Sequence, residues 1–148
     1  KAVRLAGSDA AADPADLEFI ERAGIERALE RLYVSVDGGM GDNPRPALYG
    51  ADYQVRIANR RSDAAPALVR VVGKHCEAGD VVVARDALPG DVAPGDVLAV
   101  AATGAYCGSL PSNYNSVPPP PVVAVRDGEA RLIVRGETID ELLAKSVY

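Results

Sequence analysis

A mainly β domain, a barrel or sandwich with a helix at either end, is the fold class that the sequence predicts. Three observations carry that prediction. Short Val-rich stretches punctuated by Gly and Pro run from residue 33 onward, a hairpin signature sits near residue 127, and helical texture is confined to the two ends. In the first thirty-odd residues Asp13 offers an N-cap, Pro14 the first helical position and Asp16 an acid for the first turn. Leu17, Ile20, Ala28 and Leu32 recur at helical spacing, so a helix is expected over 14–32, weakened near Gly24.

From Tyr33 the texture becomes β. "YVSV" runs into the turn signal Asp37-Gly38-Gly39, and "YQVRIA" from Tyr53 to Ala58 alternates apolar and polar residues as a half-buried strand does. "ALVRVVG", "DVVVAR" and "DVLAVAATG" read as further strands. "VVAVRDGEARLIV" is the clearest hairpin, two Val-rich strands about Asp127-Gly128, a pair that suits a type I′ turn. Four prolines at 118–121 read as a stiff connector rather than a recognition motif. Thr138 and Glu141 form a capping box ahead of Leu142 and Leu143, which predicts a short closing helix.

Composition narrows the function classes. A chain of 148 residues, 48% hydrophobic and 25% charged, fits one globular domain with a substantial core. The net charge is −5 and no Lys/Arg block occurs, so nucleic acid is not an expected partner. The apolar runs are too short to span a bilayer and no basic-then-apolar leader opens the chain; no membrane partner and a cytoplasmic location are expected. Cys76 and Cys107 form no CxxC pair, and two thiols with the single His75 make a poor ligand set, so reduced cysteines and no metal are expected. The chain opens at Lys1 without an initiator Met, and it is expected to be part of something longer.

Three stretches carry chemistry. "GKHCEAGD" (residues 73–80) places Cys76 in a polar turn at a strand end, where functional side chains tend to lie, although a thiol between two strands is more often a small buried hydrophobe. Glu77 and Asp80 lean toward a thiol that donates protons, while Lys74 and His75 pull the other way. "GDNPRPALYG" (41–50) flanks Arg45 with two prolines, so a guanidinium on a stiff base is available to grip a carboxylate. Tyr49 joins the same pocket if this stretch coils into a helical turn. "ATGAYCGSLPSNYN" (102–115) sets small residues around Tyr106, whose phenol can donate to a phosphate, but the spacing of a phosphate loop is missing.

Together, "YVSVDGGMGDNPRPALYGADY", "VGKHCEAGD" and "GDVLAVAATGAYCGSLPSNYNS", in this order and spacing, resemble the carboxy-terminal portion of the diaminopimelate decarboxylase family. That family belongs to the alanine-racemase-like decarboxylases that use pyridoxal phosphate. The resemblance covers 33–148 and leaves 1–32 as a helical segment outside it. It implies a β-domain that follows a TIM-type barrel, here absent, with a head-to-tail homodimer in which each β-domain completes the partner's active site. It also implies roles: Cys76 as proton donor, Glu77 as ligand to the distal amine of meso-diaminopimelate, Arg45 and Tyr49 as ligands to that substrate's distal end. Tyr106 would contact both the cofactor phosphate and the substrate, and Cys107 would be packing. The substrate would be decarboxylated to L-lysine, with pyridoxal phosphate held mainly by the barrel. The family's Schiff-base lysine has no match in the context of Lys74 or Lys145, so the chain alone is expected to be inactive.

The departures are Ala78 where the family commonly has Ser, Leu110 where Met is usual, and "SVPPPPVV" in place of an Arg-Pro-Arg-Pro pattern. Two alternatives stay open: a non-catalytic β-domain used for association, and a related amino-acid decarboxylase of the same fold. Arg45 together with Glu77 argues against a polyamine precursor as substrate.

Overall fold

The computed structural model describes residues 2–5, 14–23 and 31–147. Eight strands and short helices follow in the order β1 (Ala2–Leu5), α1 (Pro14–Ala23), β2 (Arg31–Ser35), α2 (Arg45–Tyr49), β3 (Val55–Ile57), β4 (Pro66–Val72), β5 (Val81–Pro89), β6 (Leu98–Val100), a 3₁₀ turn at Tyr114–Ser116, β7 (Val122–Arg126), β8 (Glu129–Val134) and α3 (Ile139–Leu143). The strands form three sheets: β1-β2-β4-β5, the ribbon β3-β6 and the ribbon β7-β8. The expectation of a mainly β domain with a helix near each end holds. Among the described residues the strands do not close into a barrel.

Strand β4 shows how the sequence builds the core. Successive side chains face opposite sides of the sheet. Val69 and Val71 pack on one side with Val34, Val55, Val83 and Leu88, whereas Leu68 packs with Phe19, Ala23 and Ala87. A strand buried on both faces reads as a mostly apolar run, as "ALVRVV" does apart from Arg70, which donates to the Ala84 carbonyl. Strand β2 lies between β1, antiparallel to it, and β4, parallel to it.

The amino-terminal helix is shorter than its periodicity suggests. Arg31 and Leu32 lie in β2, where Leu32 is buried in the core, because that backbone is hydrogen-bonded to a strand on each side. The packing residues of α1 are Phe19 and Ala23, one helical turn apart, with the Arg22 guanidinium over the Phe19 ring. Asp13 and residues 24–30 lie outside the described residues. A strand at 2–5 was not expected; its pairing to Arg31–Val34 ties this segment into the main sheet, and a domain boundary after Leu32 falls inside β2.

At the other end, the Asp127-Gly128 hairpin forms with both residues at positive φ, 53° and 79°, as a type I′ turn requires. The Thr138/Glu141 capping box is present in full. "DVLAVAATG" forms a strand only at Leu98–Val100; Ala102, at φ 58°, turns the chain out of the sheet. No helix among the described residues is long and apolar enough to cross a membrane.

Two buried or half-buried acids tie the β3-β6 ribbon to the rest. Asp86 in β5 accepts from the Val55 amide at 2.7 Å and from Arg56 at 3.3 Å. The Arg60 guanidinium forks between Asp91 and Asp96, and Asp96 also accepts from the Ala93 amide. Removing the buried acceptor in Asp86→Ala is expected to cost about 1–3 kcal/mol, read as a lower denaturant midpoint, with Asp86→Asn milder. The Arg60 hydrogen bond, aided by the Ala93 amide, holds the Asp96 carboxyl down at about 2 against an ordinary 3.8. A depressed carboxyl stabilises the fold above its unfolded value and loses that contribution as pH falls. The Asp96 contribution is therefore complete above pH 3.8 and fades toward pH 2; in Asp96→Asn the acid limb of a stability–pH curve should be shallower over that window.

Candidate functional site

The octet "GKHCEAGD" forms a tight excursion between β4 and β5. Gly73 N–H donates to the Asp80 carbonyl at 2.9 Å and closes the loop at its base. The Asp80 carboxylate then works inward: Oδ2 accepts from the His75 amide and from His75 Nδ1, both at 2.8 Å, and Oδ1 accepts from the Met40 amide at 2.6 Å. An acceptor opposite Nδ1 places the ring proton there. The His75 side chain is fully buried, and its Nε2 has no hydrogen-bond partner among the described residues.

This buried pair brings the three stretches together. A Cβ at Gly39 would stand 2.5 Å from His75 Nδ1, and one at Gly41 2.9 Å from Nε2, so the 38–43 turn lies flat against the imidazole only because these positions are glycine. Lys74 N–H donates to the Gly38 carbonyl, and Ser112 N–H to the Gly41 carbonyl. Within the turn, Gly39 N–H donates to Asp42 Oδ2, and burial pushes the Asp42 carboxyl above its ordinary value. Asn43 Oδ1 accepts from the Arg45 amide and the Cys107 thiol, each at 3.3 Å. Cys107, read as packing, thus also ties the third stretch to the second.

On this frame the five residues singled out from sequence fall into two groups. In the first, residues 45–49 do coil into a helical turn, α2, which places the Arg45 guanidinium 3.0 Å from the Tyr53 hydroxyl, 6.0 Å from the Tyr53 ring and 5.8 Å from the Tyr106 ring. Tyr106 holds a left-handed conformation, φ 67°, that is uncommon outside glycine. Its carbonyl accepts from Ser109 N–H, Leu110 N–H and Ser109 Oγ, which fixes the strained residue in place. Tyr49 makes no side-chain hydrogen bond or ring contact among the described residues and is 67% exposed.

In the second group Cys76 is exposed and reduced. Beside it Glu77 Oε1 accepts from Gly79 N–H at 3.2 Å and Oε2 from the Tyr114 hydroxyl at 3.1 Å. The Tyr114 ring lies 6.0 Å from the buried His75 ring, tilted by 32°. That hydrogen bond and the Glu77 charge raise the Tyr114 phenol above its ordinary range. Of the two readings left open by the sequence, a buried apolar thiol and one in a polar turn at a strand end, the placement is the second. Sequence reasoning missed Tyr53, Asn43 and Tyr114 and the pairing of His75 with Asp80. Tyr53 reads as an ordinary strand residue, and only its distance of eight from Arg45 signalled it; the 39/41 glycines were the signal for the imidazole.

Ion pairing differs across the surface, and Lys74, Arg61 and Arg131 are in no ion pair among the described residues. Arg56, Arg60, Arg135 and Lys145 are paired with carboxylates. Among the described residues, Arg45 and Glu77 have no opposite charge within ion-pair distance; each is oriented by a neutral phenol.

The comparisons agree on family. A family model described as "Pyridoxal-dependent decarboxylase, C-terminal sheet domain" matches residues 18–104. The chain is 58% identical over 123 residues to the diaminopimelate decarboxylase of Mycobacterium tuberculosis, covering 83% of this chain and 28% of that protein. It is 50% identical over 113 residues to that of Bacillus subtilis, covering 76% and 26%. The crystal structure of the M. jannaschii diaminopimelate decarboxylase in complex with L-lysine superposes with a TM-score of 0.72 at 33% identity, over 79% of this chain and 26% of that one. The chain thus spans about a quarter of the length of these relatives.

If the glycines are required for the imidazole to seat, Gly39→Ala should destabilise the fold by about 1–3 kcal/mol and raise the reactivity of Cys76 toward a thiol reagent as the loop loosens. A wild-type denaturation midpoint in that variant would contradict the close approach. The frame, the three stretches it gathers and the matched segment place the chain in the pyridoxal-dependent decarboxylase family, as its C-terminal sheet domain.

Proposed function

We propose that this chain is the β-domain part of a diaminopimelate decarboxylase, supplying a proton donor and substrate ligands to an active site that a partner subunit completes. The observation that carries it is the 58% identity over 123 residues to a diaminopimelate decarboxylase, in a chain whose Arg45 and Glu77 are each oriented by a phenol. A guanidinium and a carboxylate held by phenols keep their charge available, and the far end of meso-diaminopimelate presents one carboxylate and one ammonium to meet them. Arg45 binds the carboxylate bidentately and Glu77 the ammonium, with Tyr49 at the distal end. A simple diamine or lysine leaves one of the two charges unmatched and is rejected.

Pyridoxal phosphate, when bound, supplies the electron sink for loss of carbon dioxide. The residues present suit one side of it: Tyr106, pinned through its carbonyl and 70% exposed, offers a phenolic donor to a phosphate ester. The described lysines do not suit its covalent anchor, since Lys145 is held by Glu137 and Lys74 lies exposed in the turn before His75. A barrel domain therefore provides the anchor. Cys76 Sγ, exposed at the loop tip, delivers its proton to the carbon that has lost carbon dioxide, acting as general acid across the subunit boundary. Free cysteines suit a reducing, cytoplasmic setting.

A second reading, an association domain whose site residues are idle, draws on the exposed apolar side chains Val123, Val125, Leu132 and Ile133 of the β7-β8 ribbon. One experiment separates the two. The chain alone, with pyridoxal phosphate and diaminopimelate, should release no carbon dioxide above background. Combined with a decarboxylase barrel stripped of its own β-domain it should restore turnover, and Cys76→Ala should lower the restored kcat by roughly 10²–10⁴-fold. Equal turnover with Cys76→Ala removes the proton-donor role and favours association.

A further inference from the structure

Cys76 stands between two residues that are both held, and the same third residue touches each. His75, on its amino side, is buried and locked to Asp80. Glu77, on its carboxy side, is exposed and would otherwise sample several rotamers. Tyr114, 37 residues away in sequence, lies with its ring against the His75 imidazole and its hydroxyl on Glu77 Oε2 at 3.1 Å. We infer that Tyr114 is a positioning residue, a brace across the His75-Cys76-Glu77 turn that fixes the direction of the Glu77 carboxylate and so its fit to the substrate ammonium. The inference rests on the reading of Glu77 given above.

Two features favour a brace over a chance surface contact. The ring end rests on a side chain with no freedom of its own, so the hydroxyl is delivered to a defined point. The segment carrying Tyr114 is itself anchored: Ser112 N–H donates to Gly41, and Asn113 donates through Nδ2 to Glu137, which also holds Lys145 at the end of α3. A phenol is also the suitable donor for the task. An ammonium or guanidinium in its place would orient Glu77 equally well but would compete with the substrate's own cation.

Two measurements test it. On the 148-residue chain, NMR of tyrosine rings labelled in the wild type and in Tyr114→Phe identifies the Tyr114 signal, which should deprotonate above the ordinary range of a phenol. In Glu77→Gln, which removes the charge, that onset should move down. An unchanged Tyr114 profile in Glu77→Gln overturns the contact, whether or not the chain serves a decarboxylase.

In the barrel-complemented assembly, Tyr114→Phe keeps the ring on His75 and loses only the hydroxyl. It should raise KM for diaminopimelate roughly three- to tenfold with kcat within about twofold, at an unchanged thermal midpoint. A raised KM in Glu77→Gln with none in Tyr114→Phe defeats the brace and leaves the decarboxylase reading standing. An unchanged KM in Glu77→Gln, or an assembly without turnover, defeats the assignment of Glu77 and the brace with it.

Discussion

The Asp80 carboxylate sits at the centre of this domain's candidate site, accepting three hydrogen bonds, two from His75 and one from Met40. Desolvating a carboxylate is costly unless its lone pairs are met, and here two backbone amides and an imidazole meet them. The imidazole in turn fills the space beneath the 38–43 turn, where glycine lets backbone approach ring. That pair, together with the Lys74 amide on the Gly38 carbonyl, registers the thiol loop against the turn that leads to Arg45. The dependence runs one way: the exposed side chains contribute little to the frame, and the frame determines where each of them stands.

That division explains what could be read from the sequence. Elements with local signals were legible: the Asp127-Gly128 hairpin and the capping box at Thr138 both follow from residues that impose their own backbone geometry, while the helical turn between Pro44 and Gly50 was only a condition for placing Tyr49. The extent of α1 was not, because the fate of Arg31 and Leu32 depends on strands at 2–5 and 69–72 rather than on their neighbours. For the site, the residue types and their loops were legible while the partnerships were not. His75 and Asp80 were both in view, but a distance of five residues says nothing about which of many polar pairs will bury together. Tyr114 and Glu77 meet where Ser112 is fastened to Gly41 and Asn113 to Glu137, contacts with no sequence signature.

The placement of strain follows the same logic. Tyr106 adopts a conformation that costs of order 1–3 kcal/mol for a residue with a side chain. Three donors converge on its carbonyl to hold it. A neighbouring glycine, Gly104 or Gly108, would take that φ at no such cost, yet the chain places the phenol there, over Arg45. The conformation directs an aromatic ring to a guanidinium, and the backbone bonds around it offset the expense.

The choice of phenols as orienting partners has an energetic reason that reaches beyond either contact. A charged group that serves a ligand must be ordered before the ligand arrives, or the ligand's binding energy is spent on ordering it. The usual way to order a surface guanidinium is a carboxylate fork, as Arg60 has with Asp91 and Asp96. For a binding group that solution is self-defeating, because the incoming charge must displace a resident one. A phenol supplies direction without cancelling charge. It can donate to a carboxylate, as Tyr114 does, or accept from a guanidinium, as Tyr53 does, and in both cases the ion still seeks a counter-charge. On the function proposed above, two opposite charges in that state suit a ligand that carries both signs at its approaching end.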